Sequence, residues 1–152
     1  MTARVNNYGA RRSREDSYAA ALAAEHMAIF AYGVAGGRLD AADKEPARQA
    51  ESKHRDRRDA LVTRLAAATT PSPAEPAYET PFPVVDRQSA LRLLIAAEDA
   101  TALAWRGVIG LASGEERRLA LDALIAAAVQ ATTWRRLAGV TPTTLAFPGS
   151  PE

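Results

Sequence analysis

Five prolines fall between positions 71 and 83, in the run Pro71-Ser72-Pro73-Ala74-Glu75-Pro76 and then at Pro81 and Pro83. Proline lacks the backbone donor and fixes φ, so this stretch can be neither helix interior nor central strand. It reads as an extended, semi-rigid strap over about residues 70–86. Tyr78 and Phe82 are its expected anchors. The strap divides the chain into two halves, and each half carries helical patterning.

In the first half, helix A is expected from Ser13 or Asp16 to the glycine pair Gly36-Gly37, a C-terminal stop. Its apolar stripe is Tyr18, Leu22, Ile29 and Tyr32. Helix B starts near Asp40 or Asp43, tolerates Pro46 in or near its first turn, and runs to about Thr69. In the second half, helix C runs from near Asp86 to about Ser113. The sequence Ser113-Gly114-Glu115-Glu116 reads as a capping box that opens helix D, and helix D ends near Gly139. No segment alternates as a strand does, so the chain is expected to be all-α. The organisation is a polar arm over residues 1–15, a four-helix bundle over 16–140, and an irregular tail over 141–152 docked by Phe147.

The strap also constrains topology. A helix of about 27 residues is about 40 Å long, and about 16 extended residues reach about 50 Å. The strap can therefore run the length of the bundle and start helix C at the far end. Short A–B and C–D connections make each half an antiparallel hairpin. Two antiparallel hairpins joined by one long Pro-rich crossover form a ferritin-like four-helix bundle.

Composition removes several functions. The net charge of +1 gives no polyanion-binding surface, so no nucleic acid is expected. With no cysteine there is no disulfide, thiolate metal site or cysteine nucleophile, which suits a reducing cytoplasm. Met1 to Asp16 is polar and arginine-rich and does not read as a signal peptide. No apolar run reads as long and charge-free enough to cross a membrane. There is no phosphate loop, dinucleotide glycine motif or GxSxG.

Helices A and C resemble each other: Ala23-Ala24-Glu25 aligns with Ala96-Ala97-Glu98, and Tyr32 then aligns with Trp105. Each helix thus carries a glutamate and, two turns later on the same face, an aromatic ring. Polar residues also fall on the inward stripes: Glu25 on A, Glu51, His54 and Arg58 on B, and Glu98 on C. Buried carboxylates are costly unless they are paired or bound to metal. A dinuclear carboxylate site takes a Glu from each of two helices and a Glu-x-x-His from each of the other two. Here Glu25 and Glu98 are the single glutamates, and Glu51-Ser52-Lys53-His54 is one Glu-x-x-His.

With Ala24-Glu25-His26, Ala31-Tyr32-Gly33, His54-Arg55, Arg58-Asp59, Tyr78 to Pro83, Glu98, Trp134-Arg135 and Phe147-Pro148-Gly149, the chain resembles an actinobacterial ferritin-like domain family of uncharacterised function. The resemblance covers about Ser17 to Gly149 and implies the fold but no established reaction.

Helix D lacks the second half-site. The position facing Glu98 is near Val129 or Gln130, where Gln130-Ala131-Thr132-Thr133 stands in place of a Glu-x-x-His. Two explanations of Glu25, Glu51, His54 and Glu98 compete. The favoured one is a buried hydrogen-bond and ion-pair network, with Arg58, Arg55 or Arg135 holding carboxylates where a metal would sit. The bundle is then non-enzymatic, with no cofactor, and acts as a homodimer or through a protein partner. Small faces such as Ala123, Ala126, Ala127 and Ala128 would permit close helix approach. The alternative is a metal-binding protein that holds Fe or Mn on these four residues, with redox activity. His26 points about 100° away from Glu25 and reads as a surface or interface histidine, and Trp105 and Trp134 as core fillers.

Overall fold

The computed structural model describes the backbone of residues 2–150 and the side chains of residues 13–150. The described residues form four helices: α1 (Thr2–Gly36), α2 (Ala41–Ala66), α3 (Arg87–Leu111) and α4 (Gly114–Ala138). No strand occurs among the described residues.

α1 begins before the expected Ser13–Asp16 start. Residues 2–15 contain no proline and carry four arginines, Arg4, Arg11, Arg12 and Arg14, which are good helix formers. Polarity separates exposed from buried backbone, not helix from coil. The side chains of the expected arm up to residue 12 lie outside the described residues. Pro46 is also deeper than expected. It is the sixth residue of α2, where its missing N–H leaves the carbonyl of Ala42 without its helical partner.

α3 starts at a capping box between Asp86 and Ser89. The Ser89 N–H donates to Asp86 Oδ1 at 2.7 Å, and the Asp86 N–H donates to Ser89 Oγ at 3.0 Å. The box expected at Ser113 does not form: Ser113 makes no side-chain cap bond, Gly114 sits at φ 56° and Arg64 lies 3.1 Å from the Glu116 carboxylate. α4 ends at Gly139, whose left-handed φ of 67° lets its N–H turn back to the Arg135 and Arg136 carbonyls.

Close backbone packing among the described residues joins α1 with α2, α1 with α3, and α3 with α4. Each of these pairs is antiparallel. In α1 and α2, Glu25 meets Arg57 and Glu15 meets Arg64. In α1 and α3, Tyr32 meets Glu98 and Glu25 meets Trp105. The apolar core lies in layers on either side of a polar centre. Tyr18, Leu22, Leu61, Leu65, Trp105 and Val108 fill one end. Tyr32, Leu39, Leu91, Leu94 and Trp134 fill the other. Full burial of one such aliphatic side chain contributes about 1.5–3 kcal/mol. On α4, Ala123 and Ala127 face the core, whereas Ala126 is exposed and Ala128 half-buried.

The hydropathy of α1 corrects one expectation. Ser13–Gly36 is long and apolar enough to cross a membrane by length and composition. Its alanines, unremarkable one by one, raise the average over the whole window. In this fold Tyr18, Ala21, Leu22, Ala28, Ala31 and Tyr32 spend that apolar surface on the core.

The segment between α2 and α3 lies against α1. The Tyr78 ring packs 5.4 Å from the Phe30 ring, His26 Nε2 is 3.2 Å from the Ser72 carbonyl oxygen, and Phe82 packs on the Ala28–Ala31–Leu93–Ala97 cluster. The tail is held differently from expectation. Phe147 is 78% exposed, and the buried residue is Gly149. Arg106 Nη1 donates to the Gly149 carbonyl at 3.2 Å. Gly149 has φ 75°, and a Cβ there would stand 2.7 Å from the Ala102 carbonyl oxygen. Both facts demand glycine. Gly149→Ala is expected to cost about 1–3 kcal/mol locally and to free the tail, read as faster limited proteolysis after Val140. Unchanged cleavage would contradict this anchoring.

Candidate functional site

The polar centre is assembled from all four helices. On α2, His54 is one turn before Arg57, so both reach inward on one face. His54 is 1% exposed and lies between two carboxylates: Nδ1 is 2.6 Å from Glu25 Oε2, and Nε2 is 3.1 Å from Glu98 Oε1. Glu25 Oε1 accepts from Arg57 Nε and from Trp105 Nε1, both at 2.7 Å. Glu98 Oε1 also accepts from the Tyr32 hydroxyl at 2.5 Å, and that hydroxyl accepts from Trp134 Nε1 at 2.8 Å.

The repeat in the sequence has a structural meaning here. The aromatic residue seven after each glutamate donates to the glutamate of the other helix: Tyr32 of α1 to Glu98 of α3, and Trp105 of α3 to Glu25 of α1. This reciprocal exchange is what two related antiparallel helices produce when each carries the same spacing.

A family model described as "Domain of unknown function (DUF4439)" matches residues 17–152. The chain belongs to the DUF4439 family. Its fold is shared by the crystal structure of a conserved hypothetical protein, Rv2844, from Mycobacterium tuberculosis. That structure superposes with a TM-score of 0.81 at 32% identity, over 83% of this chain and 97% of that one. A search of curated proteins finds no match. The DUF4439 match contains every residue of the polar centre.

Three of the four residues expected as metal ligands in this DUF4439 chain, Glu25, His54 and Glu98, come together; Glu51 does not. Arg55, one turn on, takes the Glu51 carboxylate at the surface with contacts of 3.1 and 2.5 Å. Arg58 pairs with Asp59 at 2.8 Å, and Arg135 pairs with Asp99. The guanidinium at the centre is instead that of Arg57. Gln130 lines a small cavity with His54 and Glu98, as the facing position on α4 should. Thr133 turns its hydroxyl back to the Val129 carbonyl. The two tryptophans are buried, as expected of core fillers, and each also donates to the network.

The electrostatics follow from this geometry. Burial pushes the Glu25 carboxyl up, but the His54 hydrogen bond, the Arg57 and His54 charges and the Trp105 N–H outweigh it and hold the carboxyl below its ordinary value. Burial pushes the His54 imidazole down, but hydrogen bonds to Glu25 and Glu98 and the charges of both carboxylates outweigh it and raise the ring above its ordinary value. Burial, then the Glu98 charge and the hydrogen bond to Glu98, raise the Tyr32 phenol, so it stays neutral and donates. Arg57 Nη2 is 2.8 Å from His54 Nδ1. A lone pair on Nδ1 would face the Glu25 carboxylate at 2.6 Å, so the proton belongs between His54 and Glu25, and Arg57 is a like-charged neighbour held by the other oxygen. An imidazolium donating through both nitrogens is the form that meets both carboxylates. With Arg57 it balances the two glutamates.

The raised His54 value contributes stability that is complete below pH 6.5 and is lost as pH rises through the folded value. The lowered Glu25 value contributes stability that is complete above pH 4.5 and is lost as pH falls through the folded value. The urea midpoint is therefore expected to hold a plateau from about pH 4.5 to 6.5 and to decline as pH rises above 6.5, until the folded value of the ring is passed. In His54→Gln the alkaline decline should vanish. An alkaline limb that survives in that variant would show that another group causes it.

Proposed function

We propose that this chain is a ferritin-like bundle in which the two-metal position is filled by a charge network, so that the centre is structural and not catalytic. The ferritin-like assignment is supported by the packing. α1 touches both α2 and α3, and the α1–α2, α1–α3 and α3–α4 pairs are each antiparallel. α2 and α3 then run in the same direction, and the proline-rich segment crosses from one end of the bundle to the other.

The residues present fit a metal poorly. Among the described residues no group of three or more His, Asp or Glu is disposed to hold one. A ligating imidazole needs a bare nitrogen aimed at the ion. Both His54 nitrogens instead point at carboxylate oxygens, which is the single observation that carries this reading. Arg57 supplies the second positive charge, Glu51 faces Arg55, and α4 offers Gln130 and Trp134 in place of ligands. An imidazolium and a guanidinium thus take the role that two cations would have.

Elemental analysis of protein purified without chelator, beside titrations with Fe(II), Mn(II) and Zn(II), tests the proposal. Less than a tenth of an equivalent bound, with an unfolding midpoint unmoved by added metal, is the expected result. One equivalent bound and lost in His54→Ala would overturn it and make this a metal-binding bundle on Glu25, His54 and Glu98.

A further inference from the structure

α2 and α4 close the ring of four helices, yet they are not among the closely packed pairs of the described residues. Along this seam lies a groove of about 530 Å³ with Tyr18, Leu61 and Trp105 among its lining residues and the small Ala123 and Ala126 with Leu119 on the α4 side. Leu119 is 55% exposed there. The groove has the size and apolar lining of a small-molecule pocket, and gaps between bundle helices are common places for one. Arg64, Glu116 and Asp122 sit among its other walls, with Arg64 paired to Glu116.

A second cavity of about 110 Å³ adjoins it, sharing Arg57 and Ala126. Its character is different: Lys53, His54, Arg57, Glu98 and Gln130 line it. His54 and Arg57 are balanced by Glu25 and Glu98, whereas Lys53 has no ion-pair partner among the described residues. Lys53 is thus the cation of this wall without a counter-charge, and the Gln130 amide adds neutral donors; Asp122, likewise without an ion-pair partner among the described residues, lies on the wall of the larger groove.

We propose that the α2–α4 seam binds an amphiphile with one carboxylate. Its apolar body lies in the larger groove over Leu61 and Trp105, and its carboxylate lies in the smaller cavity beside Lys53 and Gln130. One positive charge at the end of an apolar slot selects one negative charge at the end of an apolar chain. The choice of head group rests on the charge balance of the centre given above; the apolar slot does not.

The test is calorimetry of the full chain with decanoate, decanol and decylamine. Decanoate should bind once per chain, about tenfold tighter than decanol, a difference of about 1.4 kcal/mol, and decylamine should bind most weakly. Lys53→Ala should bring decanoate down to the affinity of decanol. Ala126→Phe and, on the facing wall, Ala60→Phe should each weaken decanoate at least tenfold while circular dichroism shows the bundle intact. Absence of saturable binding by any of the three probes would overturn the proposal. So would undiminished decanoate binding in a folded Ala126→Phe or Ala60→Phe chain, or decylamine binding as tightly as decanoate. Metal uptake at the centre would leave the Ala126→Phe comparison readable, so the two readings fail separately.

Discussion

His54→Ala is expected to lower the unfolding free energy by about 3–5 kcal/mol at pH 7, because removing one partner of a buried ion network leaves uncompensated charge. Glu25 and Glu98 are 0% and 1% exposed, so bulk water compensates their charges poorly once the imidazole is gone. Glu25 would retain Arg57 and Trp105, and Glu98 would retain only Tyr32. Glu98 is then the less compensated of the two carboxylates. A domain of this size has about 5–15 kcal/mol in total, so the variant should show a large drop in urea midpoint with little change in slope. Replacing the whole network with apolar residues should cost far less than the single change, since such replacements are often neutral. A His54→Ala loss below about 1 kcal/mol would mean that the glutamates do not depend on His54.

Trp134→Ala should cost a similar amount, about 3–5 kcal/mol, through a different cause. Trp134 is fully buried, and among its cluster neighbours are Ala47 and Ala50, which cannot expand into the space it leaves. Trp134→Phe separates volume from hydrogen bonding. It keeps most of the ring packing but removes the N–H that donates to the Tyr32 hydroxyl, and should cost about 1–3 kcal/mol. Equal losses in the alanine and phenylalanine variants would place the whole effect in the hydrogen bond and contradict the packing argument.

The parts legible in the sequence were those set by local chemistry. The proline run, Gly36-Gly37 and Gly139 bound the helices where the structure has them, because breakers act without tertiary context. Glu25, His54 and Glu98 were found because buried polar residues break an apolar stripe. What periodicity could not supply was direction. Arg57 and Arg58 are three and four residues after His54, and both are one turn away; only the position of α1 decides that Arg57 reaches Glu25 and Arg58 stays with Asp59. Glu51 fails for the same reason, with Arg55 offering a nearer partner at i+4. The phase of α4 was the hardest to read, since alanines at 120, 123, 127 and 131 face in while Leu121, Ile125 and Val129 face out. The Glu25–Tyr32 and Glu98–Trp105 spacing was visible, but the exchange of hydrogen bonds between the two helices became visible only once their antiparallel register was known. The Gly149 anchor was hidden behind the more conspicuous Phe147.

The claim that a protonated histidine stands where metals would otherwise be is tested most directly on that ring. The chain has two histidines, so a spectrum of protein labelled with 15N at histidine contains two imidazoles, with His26 as the internal comparison. At pH 6.5, the ordinary imidazole value, most His54 rings should carry a proton on both nitrogens, each showing its one-bond coupling to hydrogen, and the ring should lose one only as pH rises above that value. A His54 ring already neutral at pH 6.5, with one bare nitrogen available to a metal, would contradict the account.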